Sequence, residues 1–487
     1  MAVGLVFYAI VIARNIGTCA GGSDSSGYLN HARLLASGRV HAPARAIQGL
    51  PPAGMPKFLY VPLGFKPVGN GDEIVPTYPV GLPLFIAAAA FFAGWDHACD
   101  LVIAAHALVG LLLVVAFGRS MGLGPKGAIL GGCIIAASPL YLSYSVQAMS
   151  DMPALVWATA AVLAAWQSSR ADAGNPSGAW ALAAGAAFSI AVLIRPTNAL
   201  GLAPILIALN PSVRRLTLFV LGGLPGGSFF VHHSLAAYGH PLTTGYGDVS
   251  DLFSATFAGP TLVHYLRWLV VLFTPIVLLC AALPWSAGNT RRPAAIMGSW
   301  ILAYLAFYSC YRYTHEAWWY LRFVLPAAPA LVVGGLVVAQ RWVAAWKPAA
   351  LNSFQRRALF ASVLIAALAY ESHWTRKLEA LSIGHSDAVY PMTANWLRQH
   401  LPTNAVVVTM QHSGSIYYYT DLTLVRWDQI EGSVGRQVIE AAAIAHRPVY
   451  AALFKWEVDD ALQKHLPGAW DRVGVVGDAT IWRLNRN

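Results

Sequence analysis

Long apolar runs alternate along the chain with short polar or basic breaks, and many approach the ~20 residues a helix needs to cross a hydrocarbon core of about 30 Å. They fall near 1–20, 98–117, 127–146, 152–168, 178–194, 197–209, 215–236, 264–284, 293–310, 323–343 and 357–371. The pattern predicts an α-helical polytopic membrane bundle in which each helix satisfies its own backbone groups. A further run, VGLPLFIAAAAFFAG at 80–94, has fifteen residues, roughly 22 Å of helix at ~1.5 Å per residue. It is short for a span and is read as lying along the interface or re-entering. The run at 197–209 is also short and could pair with its neighbour as a re-entrant hairpin.

From about residue 374 the period changes. MTANWLRQHL reads as an amphipathic helix, AVVVTM and RPVYAALF as buried strands, EVDDALQKHL as a helix and DATIWRLN as a closing strand. The expected organisation is a transmembrane domain over 1–373, with a first outer loop at 21–97, followed by a small α/β domain over 374–487.

Charge sets the orientation. Arg119 with Lys126, Arg170, Arg214 with Arg215, Arg291 with Arg292, and Arg341, Lys347, Arg356 and Arg357 mark five loops that belong in the cytoplasm. With residue 1 inside and 80–94 not spanning, eleven crossings place the C-terminal domain outside the cytoplasmic membrane. The first segment, MAVGLVFYAIVIA, has no basic start and no AxA-like cleavage site, so it reads as a retained anchor; it is short and followed by Arg14, consistent with a start further upstream.

Composition agrees: 57% of residues are hydrophobic and 11% charged. The formal net charge of +10 sits in loops rather than in a basic stripe with interleaved aromatics, so nucleic acid is not an expected partner. Five cysteines, at 19, 99, 133, 280 and 310, show no CxxC spacing and support neither a zinc site nor a disulfide framework.

On this topology the unusual polar residues gather at the outer face. Acids at helix ends beside lipid are costly unless paired or solvated, which makes Asp24 and Asp151 candidates for a site. Each also has an ordinary reading as a helix N-cap: Asp24 opens a helix at 25–36, and Asp151 stands in SDMP before Pro153.

SDSSGYLNHARLLASG at 23–38, PTYPVGLPLFIA at 76–87, SPLYLSYSVQAMSDMPALVWATAAVLAAW at 138–166, IRPTNAL at 194–200, YGHPLTTGYG at 238–247 and WWYLRFVLPAAPALV at 318–332 follow one another in a telling order. In this set the chain resembles the bacterial C-superfamily (GT-C) glycosyltransferases, in particular the branch of protein O-mannosyltransferases and the aminoarabinose transferase of lipid A. The resemblance implies transfer of a sugar from a polyprenyl-phosphate carrier to a glycan, lipid or protein acceptor at the outer face. It maps Asp24 onto the catalytic aspartate of the first outer loop and Asp151 onto the aspartate after the third span.

The chemistry suits the residue types. A sugar phosphate carries a good leaving group, so the reaction requires a base for the acceptor hydroxyl and positive charge for the departing phosphate. A single displacement of that kind inverts the anomeric centre, unlike the paired acids of retaining glycosidases. Arg322 is the first candidate for the phosphate, with snorkelling to the interface as its alternative; Arg195 and Lys57 are weaker, each also readable as solvated or facing headgroups. Tyr78, Tyr246 and His315 are candidates for positioning substrate. No organic cofactor is indicated; a divalent metal is the open option, with Asp72, Glu73 and Glu316 as weak candidates. Some relatives carry an acid and a lysine where this chain has Tyr78 and Pro79, and Asp72 and Glu73 read equally as a solvated turn. The rival class is a transporter for a lipid-linked glycan, which should show inverted repeats and broken helices near the midplane; an inactive relative of the transferases is the third reading.

Overall fold

The computed structural model describes residues 2–170, 177–285, 291–345 and 352–485. Met1 and Lys347, the latter one of the loop cations, lie outside the described residues. Helix α1 (Ala2–Asn15) is followed by α2 (Ser23–Ala36), by three short strands, β1 (Ala42–Pro43), β2 (Phe65–Val68) and β3 (Glu73–Pro76), and by α3 (Gly81–Ala93). The strands form a small antiparallel sheet in the order β1-β3-β2. Hydropathy could not announce it, because strands of two to four residues carry no readable period.

The helical body continues with α4 (Ala98–Ser120), α5 (Pro125–Ala137), α6 (Pro139–Tyr144), α7 (Asp151–Arg170), α8 (Ser177–Ile194), α9 (Leu202–Leu209), α10 (Val213–Tyr238), α11 (Ala258–Phe273), α12 (Arg291–Ser309), α13 (Ala328–Ala345) and α14 (Ser353–Lys377). Among the described residues four helical stretches are long and apolar enough to cross a membrane: Ala98–Ser120, Ser177–Ile194, Ala255–Phe273 and Trp318–Ala345. Others are apolar but shorter. Helix α3 has 13 residues, about 20 Å at 1.5 Å per residue, and Phe91 and Phe92 at its far end are exposed. The 197–209 run is broken too: a 3₁₀ turn over Pro196–Gly201 precedes α9. Pro275 likewise ends α11 and opens a 3₁₀ stretch, with Thr274 at φ 63° between them.

Small residues bring α8 and α10 into backbone contact. A Cβ on Gly185 would overlap the Phe219 carbonyl, and one on Gly222 would overlap that of Leu182. In lipid, where apolar side chains gain little by leaving their solvent, close backbone approach is what packs two helices. The contact seats α8, and therefore fixes Arg195 immediately after its last residue, Ile194.

After α14 come α15 (Ile383–Ser386), α16 (Val389–His400), β4 (Val406–Val408), α17 (Ser413–Tyr419), β5 (Thr423–Val425), α18 (Val434–Ile444), β6 (Val449–Phe454), β7 (Trp470–Val476) and β8 (Ala479–Leu484). The strands order as β5-β4-β6-β8-β7, parallel across β5-β4-β6 and antiparallel from β6 onward. Strands β4 and β6 are buried almost throughout, as central strands covered on both faces must be, and the edge strand β5 is buried with them. This α/β unit docks on α2 through α17. Asn30 Nδ2 donates to the Gly414 carbonyl at 3.0 Å, and Arg33 Nη1 to that of Tyr418 at 2.6 Å. From the loop after β1, Arg45 Nη1 donates to the Thr420 carbonyl at 2.6 Å.

Replacing Gly185 by Val is expected to lower stability by about 1–3 kcal/mol, the usual cost of overpacking. Gly227→Ala is the control, since nothing lies within 4 Å of the added carbon. Thermal unfolding in detergent checks this: equal melting temperatures for Gly185→Val and the wild type would show that the α8–α10 contact is not tight.

Candidate active site

Two acid–arginine pairs meet at the heads of α2 and α7. Asp24 lies in the first turn of α2, but the helix begins at Ser23 with Gly22 as its N-cap, and no side chain caps it. The Asp24 carboxylate turns instead to Arg322, whose Nη2 donates to Oδ2 at 2.8 Å. Asp151 is the first residue of α7, and neither carboxylate oxygen accepts a hydrogen bond of good geometry. Its Oδ1 lies 2.9 Å from Arg195 Nη1, a charge contact more than a directional bond. The N-cap reading is thus corrected for both acids: a counter-charge from another part of the chain takes each side chain away from its own helix end.

The two pairs form one group. Arg195 Nη1 also donates to the Arg322 carbonyl at 3.4 Å, and both guanidinium groups sit over the Phe323 ring, 5.7 and 5.2 Å from its centre. Phe323 is itself stacked against Tyr308 at 5.3 Å, and the Tyr308 hydroxyl donates to Thr197 Oγ1 at 2.7 Å. Beside it, Tyr304 donates to Asn198 Oδ1 at 2.7 Å. The sequence Arg195-Pro196-Thr197-Asn198 is therefore pinned at two consecutive residues, and this pinning sets the direction of Arg195.

Exposure separates the acids. The Asp151 side chain is 1% exposed and that of Asp24 27%, so Asp24 is the one that solvent can reach. Burial alone would push the Asp24 carboxyl up, but the Arg322 guanidinium and, after it, the Tyr78 hydroxyl outweigh burial and hold it below the usual carboxylate range. Arg322 has donors to spare. Its Nη1 reaches only the Met149 thioether, at 3.9 Å, and its Nε is buried without a partner.

Around Asp24 lies a wall of tyrosines. Tyr78 shares a 2.8 Å hydrogen bond with Ser23 Oγ and packs 5.1 Å from the Tyr28 ring and 5.9 Å, edge to face, from Tyr246. The close seat of Tyr78 requires Gly27, where a Cβ would overlap its ring. Tyr28 donates to Ser150 Oγ at 2.8 Å, tying α2 to the residue just before Asp151. On the next turn of the same α2 face, His31 Nε2 lies 3.2 Å from His233 Nε2 of α10. Burial, with His233 alongside, pushes His31 down to about 3, so it stays neutral.

The remaining candidates lie elsewhere. Lys57 is exposed and makes no ion pair or hydrogen bond with the group. His315 stacks on Phe257 at 5.6 Å with its Nδ1 buried and unpartnered, and Glu316 is exposed. Asp72 is exposed, and Glu73 faces His41 Nδ1 at 3.2 Å. Among the described residues no three His, Cys, Asp or Glu side chains are placed to hold a metal ion, so Asp72, Glu73 and Glu316 do not make up such a site. Sequence reasoning missed Tyr28, Ser23 and the Thr197–Asn198 anchors. Tyr28 and His31 stand four and seven residues after Asp24, a helical spacing that would have put them on its face.

No family model and no curated protein sequence matches the chain. Solved structures do. ArnT from Cupriavidus metallidurans bound to undecaprenyl phosphate superposes with a TM-score of 0.64 at 16% identity, over 99% of this chain and 96% of that one. The same protein in the apo state gives 0.61 at 14%, over the same shares. An oligosaccharyltransferase from Archaeoglobus fulgidus, tethered to an acceptor peptide containing an NVT sequon, gives 0.54 at 13%, over 93% of this chain and 69% of that one. Likeness at this level of identity and over nearly the whole length is likeness of fold: the chain shares the fold of ArnT and of the archaeal oligosaccharyltransferase.

Proposed function

We propose that the protein transfers a sugar, with inversion, from a polyprenyl-phosphate donor to a hydroxyl on a glycan, lipid or protein acceptor. The observation that carries this reading is the Asp24–Arg322 pair: a carboxylate still open to substrate, beside a guanidinium with unused donors. The fold shared with an ArnT that binds undecaprenyl phosphate supports a lipid-linked donor.

The residues divide the work. Asp24 takes the proton of the acceptor hydroxyl as its oxygen bonds to the anomeric carbon. The bond from that carbon to the phosphate oxygen breaks, and its electron pair leaves with the phosphate. Arg322 and Arg195 meet the charge that builds on the leaving phosphate; a planar fork suits that anion better than an ammonium does. Asp151, too buried to meet substrate, acts as a positioning residue that holds Arg195 in place. Tyr78 and Tyr246 line the approach for the sugar.

The same reading sets the protein in the cytoplasmic membrane with eleven crossings, α3 held off a full crossing, and Asp24, Asp151 and the C-terminal α/β unit on the outer side. Donor and acceptor then meet where lipid-linked sugars are used for envelope glycans.

Three outcomes are expected. Asp24→Asn should fold and insert but lose about a hundredfold to ten-thousandfold in turnover, as general-base loss does. The assay supplies a panel of polyprenyl-phosphate sugars to membrane extracts, and near-normal turnover would remove Asp24 as the base. Arg322→Lys should lower donor use, because a point charge lacks the paired donors; unchanged donor dependence would take Arg322 out of the phosphate site. For topology, single cysteines are placed at the exposed positions Asp421 and Lys126 in a background lacking the five native thiols. A membrane-impermeant reagent should reach the first from outside and not the second, and the opposite pattern would overturn the outer-face site.

A further inference from the structure

Arg322 stands in two relations that cannot both be at full strength. It is the cation best placed for an anionic ligand, yet its Nη2 is committed to Asp24 at 2.8 Å. Its other donors are idle: Nε is buried with no partner, and Nη1 has only a sulfur at 3.9 Å, which is a weak acceptor. A guanidinium with five N–H donors, enclosed and largely unspent, marks a place short of one anion. Arg195 stands outside this conflict, because its ion-pair partner is Asp151, at 2.9 Å, and not Asp24.

We propose that Asp24 and the donor phosphate compete for Arg322, so that arrival of the phosphate draws the guanidinium from Asp24 and frees the carboxylate to act as base. The inference rests on the donor reading given above and adds a coupling to it. In the resting geometry the acid is held in an ion pair, and a carboxylate so held is a poor base. A phosphate accepting from the spare Nε and Nη1 donors divides the positive charge between two anions, weakening the hold on Asp24. Coupling of this kind is reciprocal: whatever the phosphate does to the Asp24–Arg322 contact, that contact does to phosphate affinity. The base would then be armed when a donor is present and kept quiet when water alone occupies the site.

The other groups around Asp24 do not compete in this way. Ser23 and Tyr78 offer hydroxyls, Tyr28 is engaged with Ser150, and Tyr144 donates to the Trp319 carbonyl at 3.0 Å. Arg322 is the shared element, which makes the idea testable by binding alone, without turnover.

The experiment measures the affinity of undecaprenyl phosphate for the full chain in detergent, by microscale thermophoresis, in a double-mutant cycle. Asp24→Asn removes the competitor and should tighten binding about fivefold or more, the lower end of typical coupling. Arg322→Gln, which keeps length and polarity, should weaken it about tenfold to a hundredfold, the loss of charged hydrogen bonds. In the Arg322→Gln background, Asp24→Asn should change nothing. A gain from Asp24→Asn in both backgrounds would mean that the carboxylate merely repels the phosphate, and no gain in either would mean that the two do not interact; each result overturns the proposal while leaving the donor reading intact. No binding of the carrier by the wild type or by Asp24→Asn would overturn the donor reading and this proposal together. Melting curves of each variant separate misfolding from lost affinity, and if Arg322→Gln unfolds, Arg322→Met, which also removes the charge, takes its place in the cycle with the same expectations.

Discussion

Ionised groups inside a helix bundle must find opposite charge, and in this protein that requirement gathers four residues from distant parts of the chain around Phe323. Asp24, Arg322, Asp151 and Arg195 sum to zero charge, and each acid has an arginine within 3 Å. Removing one member of a buried pair commonly costs about 3–5 kcal/mol, because the survivor is left uncompensated in a medium that solvates it poorly. The arrangement constrains much else: where α2 starts, how α7 begins, and how the chain turns after α8.

The surroundings serve that constraint at two levels. Glycine contacts let α8 and α10 approach closely enough to fix the end of α8, and the Tyr308–Thr197 and Tyr304–Asn198 hydrogen bonds fix the next residues. On the other side, α2 is held by His31 against His233 and by the α17 carbonyls of the α/β unit. Asp24 therefore sits on a short helix braced from the bundle and from the C-terminal unit, although the helix itself is too short to be stable alone. Bracing of this sort holds the carboxylate in place against the Arg322 guanidinium.

Not every polar residue that stood out in the chain joins the group. Lys57, Asp72, Glu73 and Glu316 are exposed, and His315 packs against Phe257. Their types matched the chemistry, but their loops carry them elsewhere. Tyr28, hardly noticeable in a polar stretch, is by contrast tied to both Tyr78 and Ser150. Long-range position, more than residue type, separates the two sets.

The sequence by itself determined the helical, membrane-embedded class, since apolar runs of this length have no stable alternative to burial in helices. It also made strands legible in the C-terminal part, because Val406–Val408 and Val449–Phe454 are short apolar runs between turn signals. Asp24 and Asp151 were legible as costly acids but not as ion-paired ones: the N-cap and site readings place the same residue types at the same local spacing. Only the tertiary structure showed the ion pairs, because Arg322 lies 298 residues from Asp24 along the chain, and no local pattern encodes a contact made across that distance. The three-stranded sheet of the first long loop and the docking of α17 on α2 were decided in the same way, by pairings whose partners are remote in sequence and whose strands are too short to announce themselves.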